Sequence, residues 1–456
     1  MLARASLVFL LLSLASLFGS PSGDVAGKFF SSGNPDLQEI QKHLEKYDSQ
    51  SVPKDEAKAA LWFRKKAEEG NAPAQAKLGF DYYLGSGEEK DFAQARAWFQ
   101  KSADQGYAPA EYALGLLYAM GNGVSKDDDQ SVYWYRKSAE HGYALGQVFL
   151  GIAYMQGRGV ASDHAQALVW FEKAALQENA RGEGCLGMMY LQGLGVTKDE
   201  RKGVDWLRKS AELGEVRSEH LMGVLYSKGL GVEQDDAQAA IWYHKAAENG
   251  NVRAQAALGG MYQIGRGVPQ DSAQAILWFQ KAAKENDSSA QYSLGNAYEK
   301  GTGVEKDYAQ AFLWYRKAAE QGYPFAQYDL AKLYAAGQGV PQNDAEALFW
   351  YGKAAAQGDL FAERALGDCY SKGKGVAPDP KLAEQWYRKS ALHGYSDALT
   401  DLLPFIEARH PGANLKQTVA TLQEAAKAEA ASRQMRNPIE IELFTTKYVA
   451  ERLPAE

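Results

Sequence analysis

The chain has 456 residues, 46% of them hydrophobic, with 57 acidic and 50 basic side chains and a formal net charge of −7. That balance argues against a nucleic-acid binder, which needs a basic stripe to neutralise phosphates. Cys185 and Cys369 are the two cysteines; they lie too far apart in an extended repeat array to bond, so the fold does not depend on disulfides.

In chain order the first element is an uncharged apolar run, Ala5 to Phe18, behind Arg4 and before Gly19-Ser20-Pro21-Ser22-Gly23. As a helix this run reaches about 21 Å, short of the ~30 Å hydrocarbon core. Residues 1–22 therefore read as a secretory signal peptide, and the mature protein is expected to be periplasmic or secreted, with no stable membrane insertion. No cysteine follows the run, which excludes a lipobox. Residues 23–35 read as a linker. Residues 36–71 read as a degenerate capping repeat that keeps a second helix, 57–69, and lacks a glycine loop.

From Ala72 to Tyr395 the chain repeats nine times in 36-residue units, starting at Ala72, Ala108, Ala144, Ala180, Val216, Val252, Ser288, Pro324 and Leu360. All ten tryptophans fall in one register, from Trp62 through Trp98 to Trp386. Each unit predicts two helices. Helix A carries an apolar stripe at i, i+4 and i+8, as in Ala110, Leu114 and Tyr118. A Gly-x-Gly turn such as Gly121–Gly123 stops it. Helix B follows an aspartate placed to cap its first amides, as at Asp127, Asp163, Asp235 and Asp307. Glycines at the Gly115 position predict close helix approach. Stability is then a nearest-neighbour sum, with a polar cap at each end.

The consensus is clearest in Leu294-Gly295, Tyr298, Gly301-Thr302-Gly303-Val304, Asp307, Ala311 and Trp314-Tyr315-Arg316-Lys317-Ala318-Ala319-Glu320-Gln321-Gly322. It resembles the Sel-1-like repeat family, relatives of the tetratricopeptide repeats, strongly over 72–395 and partly over 36–71. The resemblance implies an all-α fold, an α/α superhelical solenoid, acting as an adaptor or scaffold in protein complexes and often exported by bacteria. Two departures are Glu88 at the loop valine of the first repeat and Ala331 at the helix A glycine of the eighth.

Residues 396–436 read as C-terminal capping helices. The first spans 396–410, with Leu402 and Ile406 in the core stripe, and the second spans 414–433, with Leu415, Val419, Leu422 and Ala426 on one side. Residues 437–456 form a tail without clear period, either loosely attached or packed back on the array.

Opposite the core stripe of helix A lie positions 2, 5, 9, 12 and 13 of each unit. In repeats 1 to 4 these hold Phe80, Tyr83, Leu84, Tyr112, Leu116, Met120, Val148, Ile152, Met155, Met188 and Leu191. In repeats 7 to 9 they hold Asn296, Glu299, Lys300, Lys332, Arg364, Asp368 and Lys372. Packing against neighbouring helices A accounts for such side chains one at a time. As a set they predict an apolar, methionine-rich groove on the concave face for a protein or peptide partner, with charge-based specificity further along.

No catalytic, cofactor or metal site is expected. The seven histidines are read as sharing no common repeat position and forming no i, i+4 pair. The Gly-x-Gly-Val-x-x-Asp loops lack the extra carboxylates of a calcium site and the GK[ST] ending of a phosphate loop. Ser-x-x-Lys at Ser51–Lys54 and Ser371–Lys374 lacks the companion motifs of penicillin-recognising enzymes. The lysine after each tryptophan reads as packing. The expected function is an exported non-catalytic scaffold. The alternatives are a cell-wall or glycan-associated protein or an enzyme using the concave face, and an inhibitory subunit of a membrane-bound partner.

Overall fold

The computed structural model describes residues 56–411, 414–433, 435 and 437–454. The signal peptide, the linker and the start of the opening repeat lie outside them. Among the described residues there are 22 helices and no strand. The opening helix α1 (Glu56–Glu68) precedes nine A–B pairs. In the first five, α2 (Ala72–Leu84) pairs with α3 (Phe92–Ala103), α4 (Ala108–Met120) with α5 (Asp128–Glu140), α6 (Ala144–Gln156) with α7 (His164–Ala175), α8 (Ala180–Gln192) with α9 (Glu200–Glu212), and α10 (Val216–Lys228) with α11 (Asp236–Glu248). In the last four, α12 (Val252–Ile264) pairs with α13 (Ser272–Lys284), α14 (Ser288–Lys300) with α15 (Tyr308–Glu320), α16 (Pro324–Ala336) with α17 (Asp344–Ala356), and α18 (Leu360–Lys372) with α19 (Pro380–Leu392). The chain ends in α20 (Ser396–Arg409), α21 (Leu415–Ser432) and α22 (Pro438–Arg452). It divides after Ala254 into two compact units.

The predicted punctuation holds. Gly121 ends α4 at φ 74°, the left-handed region that side chains resist, and its amide donates to the Leu117 carbonyl. Asp127 accepts from the Gln130 amide at 2.9 Å, and Asp163 caps α7 in the same way. The second loop glycine has a different reason. A Cβ on Gly159 would sit 2.1 Å from the Asp128 carbonyl, at the start of the preceding repeat's helix B. This loop is therefore part of the contact between repeats.

Close approach within a repeat rests on the helix A glycine. A Cβ on Gly115 would lie 2.5 Å from the Tyr135 ring, and the same ring-on-glycine contact recurs at Gly295 with Tyr315. The residue after the tryptophan is thus the true core side chain, aromatic in every repeat but the fourth, where it is Leu207: Phe99, Phe171, Leu207 and Tyr315 are almost wholly buried. The tryptophans lie further out, most of them beneath the lysine three residues on, with Lys101 3.9 Å from the Trp98 centroid and Lys281 3.8 Å from that of Trp278. The recurring lysine packs as a cation over a ring. Glu88, the anomalous loop residue of the first repeat, pairs with Arg64 of α1.

One recurrent feature lies outside the apolar pattern. The fourth residue of helix A is buried and polar, and in most repeats it bonds a residue thirty positions on. Gln75 accepts from Gln105 at 2.8 Å, Gln147 from Gln177 at 2.8 Å and Gln327 from Gln357 at 2.8 Å. In three of the four repeats where the residue is glutamate, a nitrogen-bearing side chain replaces the glutamine: His141 with Glu111 at 2.8 Å, His393 with Glu363 at 2.7 Å and Asn249 with Glu219 at 3.0 Å; for Glu183 the residue thirty positions on is Leu213. His141 and His393 therefore do share a repeat position, seven repeat lengths apart, contrary to the expectation that no histidines coincide. Burying these polar groups is tolerable because they are paired.

The C-terminal helices α20 and α21 form as expected, with Leu402, Ile406, Leu415 and Ala426 buried. Of the two alternatives for the tail, packing back is the one found. Asn437 caps α22, which buries Val449, Ala450 and Leu453 against α19 and α20. Arg388 of α19 donates to the Leu453 carbonyl at 3.2 Å.

Candidate partner-binding site

The predicted apolar face of repeats 1 to 4 lies within the first unit. Six of its eleven side chains, Phe80, Tyr83, Tyr112, Leu116, Val148 and Met188, are buried by packing between repeats. Leu84, Met120, Ile152, Met155 and Leu191 are half-buried. The cause is that helices A of successive repeats touch: α4 contacts α6, and α6 contacts α8. Tyr112 is ringed by Tyr135, Tyr143 and Phe149 at centroid distances of 6.0, 5.7 and 5.3 Å. Phe80 packs edge-on against Phe99, and Tyr83 lies against Phe92 while accepting from Asn122 at 3.2 Å. The expectation of an open groove along all eleven residues is corrected here: most of them are spent on the array itself.

What remains open is smaller and better defined. A cavity of about 120 Å³ opens among repeats 2 to 5, and Leu116, Met120, Ile152 and Met188 line it. Tyr135, Phe149, Cys185, Leu207 and Leu221 complete the apolar wall. Its polar lining includes Arg158, Arg181, Arg217, Asp128 and Glu215. Glu215 is engaged in the fold, accepting from the Ser218 amide at 2.6 Å as the cap of α10. Arg181 lies 5.6 Å from the Phe149 centroid. Arg158 belongs to the glycine loop of its repeat, and Arg181 and Arg217 hold position 2, where the apolar pattern does not single out a charged residue. Their signal was the recurrence of Arg181, Arg217 and Arg253 at that position in three consecutive repeats.

The charged face of repeats 7 to 9 belongs to the second unit, and most of its charges are paired. Tyr315 donates to Glu299 at 2.6 Å, Tyr292 to Asp329 at 3.2 Å and Lys332 to Asp329 at 2.9 Å. Arg364 donates to Asp401 at 2.6 Å, and Asp368 accepts from Lys372 at 2.6 Å and from Tyr387 at 3.0 Å. Burial pushes the Asp329 carboxyl above its ordinary range, against the pull of Lys332. The Tyr315 phenol is pushed far up by burial and by the carboxylates around it, so it remains a donor.

Among the described residues no group of three or more His, Cys, Asp or Glu side chains is placed to hold a metal, and no helix is long and apolar enough to cross a membrane. Cys185 and Cys369 are buried and form no disulfide.

Helix pairs in constant register, glycine-pinned and linked through their loops, define an all-α solenoid of tandem 36-residue repeats. The Sel1 repeat model matches ten consecutive stretches, from 46–71 and 72–107 to 360–395, and the chain belongs to the Sel1 repeat family. It is similar to a solved protective antigen with an SLR fold from uropathogenic Escherichia coli strains. The two are 36% identical over 87% of this chain and 91% of that one, with a TM-score of 0.59. It is also similar to a Sel1 repeat protein from Oxalobacter formigenes, 31% identical over 72% of this chain and 93% of that one, with a TM-score of 0.50. No curated protein gives a match.

Proposed function

We propose that the chain is an exported, non-catalytic scaffold that holds a protein partner on the helix A face of repeats 2 to 5. The observation that carries this reading is the cavity there: apolar walls edged by arginines, in a repeat architecture suited to protein interaction. Export rests on the apolar run Ala5–Phe18. Absence of a catalytic role is supported by the second unit, where the titratable side chains of the helix A face pair with one another. Crosslinking followed by affinity purification from the envelope fraction of the native host tests it. The expected result is one stoichiometric protein with a mature N-terminus near Gly23; glycan retention without a protein would favour the wall-binding alternative.

A further inference from the structure

We infer that the fourth repeat carries a second contact site, where the buried Glu183 carboxylate takes an arginine side chain from a protein segment, beside Leu213. The site lies outside the cavity lining and goes beyond the scaffold reading. The argument starts from the buried polar row, in which position 4 of helix A meets position 34 at the end of helix B. Across the nine repeats the pair is Gln–Gln four times, Glu with His or Asn three times and Gln–Glu once. Glu183 with Leu213 is the remaining pair, and in it position 34 has no hydrogen-bonding side chain. Glu183 is only 5% exposed, and its Oε2 has no hydrogen-bond partner. A buried carboxylate oxygen left bare is costly and uncommon. The ninth repeat shows what a carboxylate takes at this position: Glu363 holds His393 at 2.7 Å and Lys389 at 3.1 Å. The fourth repeat has lost the first of these donors. Lys209, the equivalent of the second, lies 4.3 Å from the Trp206 centroid.

The surroundings say what the missing donor is. Burial raises the Glu183 pKa; Lys209 counters this, and the exposed Glu178 and Glu212 add to it. Among these groups three carboxylates stand against one ammonium, so the ligand is a cation and a nucleic acid is repelled. Among the described residues no group of three or more His, Cys, Asp or Glu side chains is placed to hold a metal, which leaves a cationic side chain. In the eighth repeat Gln357 donates to the Gly322 carbonyl at 3.0 Å, so position 34 lies against position 35 of the preceding repeat. For Leu213 that neighbour is Glu178, at φ 57° where seven other repeats carry glycine. Leu213 and Leu176 are 50% and 82% exposed. Arginine fits this setting: its fork offers two N–H groups to one carboxylate, and its apolar stem lies along leucine. Leu213, half exposed at the end of α9, swings outward to admit it.

Fluorescence anisotropy with labelled synthetic nonapeptides tests this on the mature chain. The probe is Gly-Gly-Leu-Gly-Arg-Gly-Leu-Gly-Gly; one control replaces its arginine with glutamine and the other replaces both leucines with glycine. The arginine probe is expected to bind and to weaken with salt. Two variants that complete the polar row internally are expected to lose at least about tenfold in affinity for it. In Glu183→Gln the new amide is placed to donate to the Ala175 carbonyl, as Gln147 donates to Ala139 at 3.3 Å. In Leu213→His the backbone, at φ −78° and ψ 1°, matches that of His141 at φ −79° and ψ 8°. Urea midpoints at or above wild type are expected for both, so lost binding is not lost folding. No binding of the arginine probe up to about 1 mM, equal binding of either control, or unchanged affinity in Glu183→Gln would each overturn the inference. Each of those results would leave the cavity reading standing, because Glu183 is not in the cavity lining.

Discussion

One contact recurs along the helix A face in two chemistries. The fifth residue of one helix A meets the sixth residue of the next, thirty-seven positions on. In the first unit the pair is Tyr112 against the Phe149 ring, with centroids 5.3 Å apart. In the second it is Tyr292 donating to Asp329 at 3.2 Å, and Arg364 paired with Asp401 at 2.6 Å. The helices around these pairs are alike, although Ala331 replaces the helix A glycine beside Asp329 and Asp401 lies on the capping helix α20. The scaffold is therefore indifferent to what fills this seam, provided that both partners change together. The first unit uses the seam for apolar packing and leaves a cavity beside it; the second closes it with hydrogen bonds and ion pairs.

The comparison breaks most visibly if one chemistry is placed in the other's setting. Tyr112→Arg copies the residue that the last repeat carries, but puts a guanidinium against Phe149 where Arg364 finds a carboxylate. A loss of at least about 4 kcal/mol is expected in urea unfolding, with hydrogen exchange rising first in α4 and α6. Adding Phe149→Asp should recover about 1–3 kcal/mol in a double-mutant cycle. A Tyr112→Arg variant as stable as wild type would show that the seam does not discriminate.

The fifth residue of the fifth repeat is His220, and burial followed by the nearby Arg253 charge lowers its pKa to about 4. The unfolded histidine protonates near 6.5. Between those values the unfolded chain binds a proton that the folded chain refuses, so stability falls as pH drops from 6.5 to 4. The full loss is roughly 3 kcal/mol at ~1.4 kcal/mol per unit. Replacing His220 by Asn should remove that slope from the pH dependence of urea midpoints. Carboxyls raised by burial, such as Glu183 and Asp329, act in the opposite sense, because their protonation favours the fold. The variant difference isolates the histidine from them.

Smaller effects sharpen the contrast. Asp401→Ala unpairs Arg364, whose side chain is one-third exposed, and should cost about 1 kcal/mol, less than the buried replacement at Tyr112. Lys281→Met removes the cation over Trp278 and keeps most of the apolar stem. About 0.5–1 kcal/mol is expected, and tryptophan fluorescence should report the altered ring environment.

The repeat register, the caps and the helix pairs were legible in the sequence because glycine, alanine and aspartate recur where the backbone leaves no choice. The terminal helix α22 was not, since it has no period of its own and is held by Val449, Ala450 and Leu453 docking on its neighbours. Asn437 and Pro438 were its local signals. At the site, composition picked out Leu116, Met120, Ile152 and Met188, all of which line the cavity. Which other apolar residues of that face are buried depends on contacts between repeats, which a pattern read along one helix does not contain. Arg181 and Arg217 lay at a position that elsewhere holds proline, leucine, serine or phenylalanine, so only their recurrence in adjacent repeats set them apart.

The central claim is that the helix A face of the first unit is where a partner binds. A photo-crosslinking amino acid placed in vivo at Arg158, beside the cavity, and separately at Lys332, in the paired network, tests it most directly. The account predicts one discrete crosslinked protein from the Arg158 site and none from Lys332. The same product from both sites, or no product from Arg158, would contradict it.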